Sequence, residues 1–298
     1  MKILLPVVAL ILSWSSVQAQ SGVPLVDLTL AGGYESANLH WAIAGNANGQ
    51  SPNIYSELKW HSVSGTLLNP QLQINVTNKW FLAGEYAKCF VKAGHATDAD
   101  YANDNREMQT YNALLDSDEG HLIDYRIYTG YQILLLNKFT LSAFAGYTTS
   151  KEYLFLLQHA EDVSGQKNLR SIYQTQWKGG LIGLSAVYQI FSKVNVRGIL
   201  RYSQLKYHAS ADWNLIDAFQ HPVSFEQHAN GFDLGASLTC TYQFNHYLSL
   251  FVTGAYSKAQ TGTGVDNLYL DFGSTRTTQL NGVDKQLKSF MLGTTVHF

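Results

Sequence analysis

The chain has 298 residues, a formal net charge of −2, and only 14% charged residues beside 13% aromatic ones. Soluble domains carry about 25% charged residues, so this composition argues against an ordinary wetted surface. The nearly neutral balance gives no reason to expect a nucleic-acid partner.

The N-terminal residues have the three parts of a secretory signal peptide. Lys2 supplies the positive charge, Ile3–Leu12 is almost wholly apolar, and Val17–Ala19 is a small-x-small cleavage site. The apolar run is too short to span a bilayer as a helix. We therefore expect residues 1–19 to be a cleaved signal peptide and residues 20–298 to form the exported mature protein.

Along the mature chain, large apolar residues alternate with small or polar ones. Segments 139–147 and 248–256 show this pattern most clearly, and such alternation predicts strands with two unlike faces. No later segment has the roughly 20 apolar residues that a membrane helix needs. Ten strands are predicted, at about 24–44, 53–76, 80–92, 120–136, 139–157, 170–190, 194–209, 223–244, 247–261 and 281–298.

The connectors between these strands alternate strictly in length. Short ones at 77–79, 137–138, 191–193 and 245–246 resemble hairpin turns, and longer polar ones lie at about 45–52, 93–119, 158–169, 210–222 and 262–280. Short turns at one end and long loops at the other are typical of bacterial outer-membrane barrels. The prediction is an all-β fold: a ten-stranded antiparallel transmembrane β-barrel, with short periplasmic turns and long extracellular loops, in a Gram-negative outer membrane.

The last strand supports this prediction. Phe290, Leu292, Thr294, Val296 and Phe298 alternate with other residues, and the chain ends on the aromatic. A terminal Phe that closes an alternating strand resembles the assembly signal of outer-membrane proteins. The alternative is the edge strand of a soluble sheet, which would usually carry protective charges.

Several short motifs resemble those of the omptins, which are ten-stranded outer-membrane aspartyl-type proteases. They are Ser56–Trp60 on the second strand, Trp177-Lys178 followed by Ile182–Leu184 on the sixth, Arg201–Ser203 on the seventh, and Tyr269-Leu270 in the last outer loop. The architecture matches over the whole mature chain. The motifs are short, and Lys59 stands where the family has Asp.

The resemblance implies a catalytic site made of two pairs. In omptins an Asp-x-Asp on the second outer loop faces an Asp-x-His on the fourth, and water between them is the nucleophile. Asp98 and Asp100 match the first pair and Asp212 begins the second, but Asn214 stands where the His should be. Carboxylates can hold and polarise water and a His can accept its proton, whereas Asn cannot at neutral pH. On this alignment Asn214→His is the substitution expected to create activity.

Three functions follow as hypotheses. The first is a surface barrel, adhesive or structural, whose catalytic dyad is incomplete and which is not an efficient protease. The second is an active omptin-type aspartyl endopeptidase in which His208 or His221 accepts the proton. The third is a small porin, although inward side chains largely fill so narrow a barrel. In the first case, Asp98, Asp100 and Asp212 are expected to face one another and raise one another's pKa values.

The expected partners are those of an outer-leaflet barrel. They are outer-membrane lipids and lipopolysaccharide, with a peptide or host surface ligand at the long loops, and the protein is expected to be a monomer. Gln176 replaces an Arg at one lipopolysaccharide position of the family while Lys178 is retained, so no lipopolysaccharide requirement for activity is expected. Without a His-Glu-x-x-His, Cys-x-x-Cys or Gly-x-Ser-x-Gly motif, the sequence predicts no cofactor and no metal site.

Overall fold

The computed structural model describes residues 24–158 and 169–298. The predicted signal peptide and nearly all of the loop predicted at 158–169 therefore lie outside the described residues. The strands are β1 Val26–Ile43, β2 Ser56–Asn75, β3 Trp80–Tyr101, β4 Gln109–Asp116, β5 Gly120–Leu135, β6 Phe139–Leu157, β7 Arg170–Phe191, β8 Val194–Asp212, β9 Phe225–Gln243, β10 Leu248–Thr261, β11 Gly264–Tyr269 and β12 Thr275–His297. No helix in these ranges is long and apolar enough to span a membrane.

The strands form one closed antiparallel sheet. Consecutive strands pair with each other except β4 with β5 and β10 with β11, and β1 pairs with both β2 and β12, which closes the ring. The predicted all-β transmembrane barrel is confirmed, but the count of ten strands is wrong because twelve are formed. β4 and β5 follow each other along β3, and β10 and β11 follow each other along β12. Two interrupted strands thus account for the difference, and the ring has ten positions.

Two predicted outer loops are largely strand. In the segment predicted as a loop at 93–119, β3 continues to Tyr101 and β4 follows; in that at 262–280, β11 forms and β12 already begins at Thr275. These strands are polar because, beyond the membrane, both faces of the wall can meet water. Their polar composition is therefore the reason that the sequence predicts loops at these positions. The outer half of the barrel is therefore a continuous strand extension of the wall.

The short periplasmic turns are confirmed. The hydroxyl of Thr77 accepts hydrogen bonds from the backbone N–H groups of Lys79 and Trp80. The side chain of Asn245 accepts one from the N–H of Tyr247 in the same way. Side chains that bond to nearby backbone groups are a standard way to stabilise tight turns.

The outer face carries an apolar band with aromatic residues near its upper edge. Exposed leucines and isoleucines cover the wall, among them Leu28, Leu30, Ile182, Leu200 and Leu238. Exposed tyrosines mark the upper edge on separate strands: Tyr34, Tyr125, Tyr147, Tyr202 and Tyr256. We call this set the upper girdle. It matches the aromatic girdle that outer-membrane barrels place at the lipid–water boundary.

The C-terminal strand is not an edge. β12 pairs with β1 on one side and with β10 on the other. The backbone N–H of Phe298 donates to the carbonyl of Val26, and the N–H of Leu25 donates to the carbonyl of Phe298. Closure therefore satisfies backbone groups that lipid could not.

The core lies inside the upper half of the barrel, where aromatic rings from opposite walls meet. We call these rings the aromatic layer: Trp41, Trp60, Tyr173, Trp177, Tyr207 and Phe225. Trp60 of β2 stacks on Tyr173 of β7 with 4.8 Å between ring centroids, and Trp41 of β1 lies 6.2 Å from Tyr173. β1 and β7 are five positions apart in the ten-position ring, so these contacts cross the lumen.

Beside the aromatic layer an ion pair also crosses the lumen. Lys285 of β12 donates to Glu152 of β6 at 2.5 Å, and both side chains are buried. The ammonium group lies 5.6 Å from the ring centre of Trp177. The lumen also encloses a cavity of about 640 Å³ whose lining includes Arg126 and Arg201. Aromatic and charged contacts thus hold the two walls together.

Candidate functional site

Asp98 and Asp100 lie on the lumen face of the wall, beyond the upper girdle. In the register of β2 and β3, Asp98 is opposite Leu58 and Asp100 is opposite Ser56. Leu58 is completely buried and lies in the core cluster with Trp60. Because directly opposed residues share a face of the sheet, both carboxylates point to the inside, just outside the aromatic layer.

The surroundings of these two residues disfavour the charged form. Burial, and next the charge of Asp100, raise the pKa of Asp98 to about 7. Burial also raises the pKa of Asp100, while a hydrogen bond from Ser56 acts in the opposite direction. Neither carboxylate is paired with a cation or a histidine in the described part of the chain. At neutral pH, Asp98 is therefore close to half protonated.

A raised folded-state pKa makes Asp98 destabilising at high pH. The folded state then binds the proton more tightly than the unfolded state. The stabilisation that comes from this proton is therefore complete below about pH 4 and is lost as the pH rises through about 7. We expect Asp98→Asn to increase the free energy of unfolding by about 2 kcal/mol at pH 8 and by much less at pH 4.5. Denaturant titrations of refolded protein in lipid vesicles at both pH values measure this.

The control for this prediction is Asp118→Asn, which changes an exposed carboxylate. It should leave the free energy of unfolding unchanged within about 0.5 kcal/mol at both pH values. An equal gain from Asp98→Asn at pH 4.5 and pH 8 would show that Asp98 is not held in a protonated form.

Asp212 lies on the other face of the barrel wall. The buried residues Tyr207, Ala209 and Ala211 alternate along β8, and Asp212 follows them out of phase. It is opposite Ile172, which neighbours the buried Tyr173 on β7. The expected arrangement, in which Asp212 faces Asp98 and Asp100, is therefore not formed. The physical reason is the two-residue period of a strand.

Asp212 pairs with His221. The Nδ1 atom of His221 lies 2.6 Å from an Oδ1 atom of Asp212. The side-chain oxygen of Asn214 instead accepts hydrogen bonds from the backbone N–H of Arg170 and the hydroxyl of Ser171. Asn214 therefore ties the end of β8 to the start of β7. Asp212 and His221 therefore form a carboxylate–histidine pair, but it lies on the opposite face of the wall from Asp98 and Asp100.

On the lumen wall opposite Asp98, buried polar side chains form a hydrogen-bonded network. A chain of hydrogen bonds runs between the hydroxyls of Tyr207 and Tyr173 at 2.5 Å, from Tyr173 to Gln227 at 2.7 Å, and from Gln227 to Asp266 at 3.0 Å. Burial raises the pKa of Asp266 to about 6, although its bonds from Gln227 and Thr278 oppose the shift. This buried network connects β7, β8, β9 and β11. It contains no histidine.

Alternation also divides the motif at 56–60 between two faces. Leu58 and Trp60 enter the core, whereas Glu57 contacts Lys59 at 2.8 Å, Arg106 at 3.0 Å and His40 at 3.3 Å. Burial opposes ionisation of Glu57, but hydrogen bonds from His40, Arg106 and Lys59 outweigh it and hold the pKa well below its usual range. This cluster attaches the turn after β3 to the barrel wall.

Sequence reasoning missed two groups of residues. One is the Lys285–Glu152 pair, whose partners come together through ring closure. The other is His208, Glu226 and His228, whose ligand atoms all lie within 4.8 Å of one another. The spacing of Glu226 and His228 is a usable signal, because i and i+2 share a face of a strand. The third member comes from the neighbouring strand and depends on the register.

Comparisons with known proteins agree with this architecture. A family model described as "Pom: Protochlamydia outer membrane protein" matches residues 29–298. The crystal structure of the outer membrane protease OmpT from Escherichia coli is similar, with a TM-score of 0.74, 12% identity, and coverage of 92% of this chain and 96% of that one. Because the identity is only 12%, this similarity establishes an omptin-like barrel fold and carries no information about activity.

Other solved barrels superpose less well. The outer membrane protein OprG from Pseudomonas aeruginosa has a TM-score of 0.41 and 13% identity, with 93% of this chain and 99% of that one covered. The translocator domain of the autotransporter NalP from Neisseria meningitidis has a TM-score of 0.40 and 11% identity, with 97% and 94% covered. No curated protein matches the chain significantly.

Proposed function

The chain belongs to the Protochlamydia outer membrane protein family, and from this premise we propose that it is a surface barrel of the bacterial outer membrane without omptin-type peptidase activity. Its role on this proposal is structural or adhesive. The paired strands of the outer extension present the surface turns, and lipopolysaccharide is the proposed lipid contact above the upper girdle.

One observation carries the proposal. The carboxylates that match the omptin pair, Asp98 and Asp100, lie on the lumen face, while Asp212 and His221 form their pair on the other face. Activation of water for attack on a peptide needs a base within hydrogen-bond reach of the water that the carboxylates hold. The separation of the two pairs by the barrel wall argues against one shared water.

The active-peptidase alternative depends on the Asp212–His221 pair. A carboxylate that accepts a hydrogen bond from a histidine ring can orient that ring as a general base. The two side chains are partly exposed, at 25% for Asp212 and 38% for His221. Asp98 would play no part in such a site, so the two peptidase mechanisms make different predictions for mutants.

We expect the refolded protein to show no hydrolysis of fluorogenic peptides with paired basic residues, in the presence of added lipopolysaccharide. Asn214→His should be equally inactive, because this position bonds to Arg170 and Ser171 and follows the outward-facing Asp212. This revises the expectation from sequence. A refolded omptin under the same conditions is the positive control.

Two variants separate the alternatives. Robust turnover by the wild type that is lost in Asp98→Ala would contradict the proposal in favour of an omptin-type site. Turnover that persists in Asp98→Ala and is lost in His221→Ala would assign catalysis to the pair with Asp212. Heat-modifiable gel migration of each variant confirms that the barrel has folded.

A further inference from the structure

Two histidines and a glutamate meet on the outer face of the wall, beyond the upper girdle. His208 on β8 is directly opposite His228 on β9, and Glu226 precedes His228 by two residues. The neighbouring residues Tyr207 and Gln227 are buried in the lumen, so the three side chains point outward. His208 and Glu226 are partly buried, and His228 is exposed.

The distances suit a small divalent ion. Nε2 of His208 lies 3.5 Å from Oε1 of Glu226, and the imidazole centres of His208 and His228 are 4.6 Å apart. In a tetrahedral zinc site, bonds of about 2.0–2.1 Å place neighbouring ligand atoms about 3.3 Å apart. The three ligand atoms, all within 4.8 Å of one another, thus need only small side-chain rotations to converge on one ion.

A further residue holds the carboxylate in place. The hydroxyl of Tyr269 on β11 donates to Oε2 of Glu226 at 2.8 Å, which leaves Oε1 directed at His208. β11 also pairs with this part of β9, where Asn267 is opposite Glu226. Such support of a ligand by a second residue is a common feature of metal sites. The cluster is therefore fixed by three strands.

We propose that His208, Glu226 and His228 bind one zinc ion, with Tyr269 as a positioning residue. Two imidazoles and one carboxylate favour zinc or a related transition metal, whereas calcium and magnesium prefer oxygen ligands alone. Three protein ligands leave a fourth position of the ion open to solvent on the exposed side. This inference is independent of the proposed function, since it concerns the outer face and requires no peptide chemistry.

The chain contains its own matched control. His61 and His95 also form a directly opposed histidine pair, with 5.2 Å between ring centres, on β2 and β3. Lys59 and His40 act on His61, and Asp116 of β4 is opposite His95 in the register. Among the described residues, only His208, Glu226 and His228 bring three ligand atoms within 4.8 Å of one another, so the pair of His61 and His95 should bind zinc much more weakly. Loss of His61 therefore tests for non-specific binding by surface histidines.

The experiment is zinc titration of the refolded, detergent-solubilised protein by competition with a chromophoric chelator. We expect one zinc per chain with a Kd below about 10 µM. His228→Asn and Glu226→Gln should each weaken binding by at least about 30-fold, Tyr269→Phe by about 10-fold, and His61→Asn by less than about two-fold. Calcium in excess should not compete.

Cobalt(II) provides a second readout. The bound ion should show the intense visible bands of a four-coordinate site in the wild type and in His61→Asn, and these should disappear in His228→Asn. Weakening of less than about 10-fold in His228→Asn, an equal loss in His61→Asn, or no wild-type binding below about 100 µM would each overturn the proposal. Heat-modifiable migration establishes that every variant measured is folded.

Discussion

The wild-type barrel is expected to be electrically silent in planar lipid bilayers, and Trp60→Ala combined with Tyr173→Ala to produce small conductance steps. These rings stack at 4.8 Å from nearly opposite sides of the ring, and Trp60 and Tyr173 are almost completely buried. Their removal leaves two small methyl groups where the lumen is now crossed. The cavity of about 640 Å³ would then communicate with the outer mouth.

The control variant for this experiment is Trp80→Ala, an exposed aromatic at the start of β3. It changes the lipid-facing wall and should remain silent. Loss of a buried aromatic costs about 3–5 kcal/mol, so the double variant must be shown to be folded by its gel migration before conductance is measured. Stable wild-type steps of porin size would contradict a closed lumen and favour the small-porin hypothesis.

The fold was largely predictable because a membrane barrel imposes a repeated chemical pattern. Lipid on one face and packed side chains on the other require alternation with a period of two, and closure requires turns that alternate between the two ends. The terminal alternation from Phe290 to Phe298 has its counterpart in β12, which closes the ring on β1. What alternation could not locate was the end of each strand beyond the membrane, where lipid no longer imposes a difference between faces.

The site was less predictable because it depends on phase and register. Asp212 was aligned by its distance from Asn214, yet its face is set by the buried series Tyr207, Ala209 and Ala211. That series is visible in the sequence and would have placed Asp212 outside. The contact with His221, in contrast, depends on how the turn after β8 folds back. No spacing rule contains that information.

Contacts across the lumen are further beyond sequence reasoning. Glu152 and Lys285 are 133 residues apart, and neither belongs to a recognisable motif. They meet because β6 and β12 are five positions apart in a ring with ten positions. Buried charges of this kind are costly unless they are paired. Their role is best determined by removing the two charges separately and together.

We expect Lys285→Met to reduce the free energy of unfolding by about 3–5 kcal/mol, because it leaves the carboxylate of Glu152 buried without its cation. The side chains are only 6% and 3% exposed, and no hydrogen bond reaches the second carboxylate oxygen of Glu152 within the described residues. Lys285→Met combined with Glu152→Leu removes both charges and fills similar volume. The double variant should therefore recover most of the loss.

Denaturant titrations of refolded protein in lipid vesicles measure the free energy of unfolding of the wild type, of each single variant at Lys285 and Glu152, and of the double variant. The matched control is Arg170→Met, which breaks an ion pair with Glu119 in which the side chains are 52% and 48% exposed. Exposed pairs contribute about 0–1 kcal/mol, so this variant should change stability little. If Lys285→Met were as mild as Arg170→Met, this ion pair would contribute little to stability; if the double variant were no more stable than Lys285→Met, the loss would not come from an unpaired charge. Recovery in the double variant would instead show that the cost lies in the unpaired charge, since the packing across the lumen tolerates either chemistry.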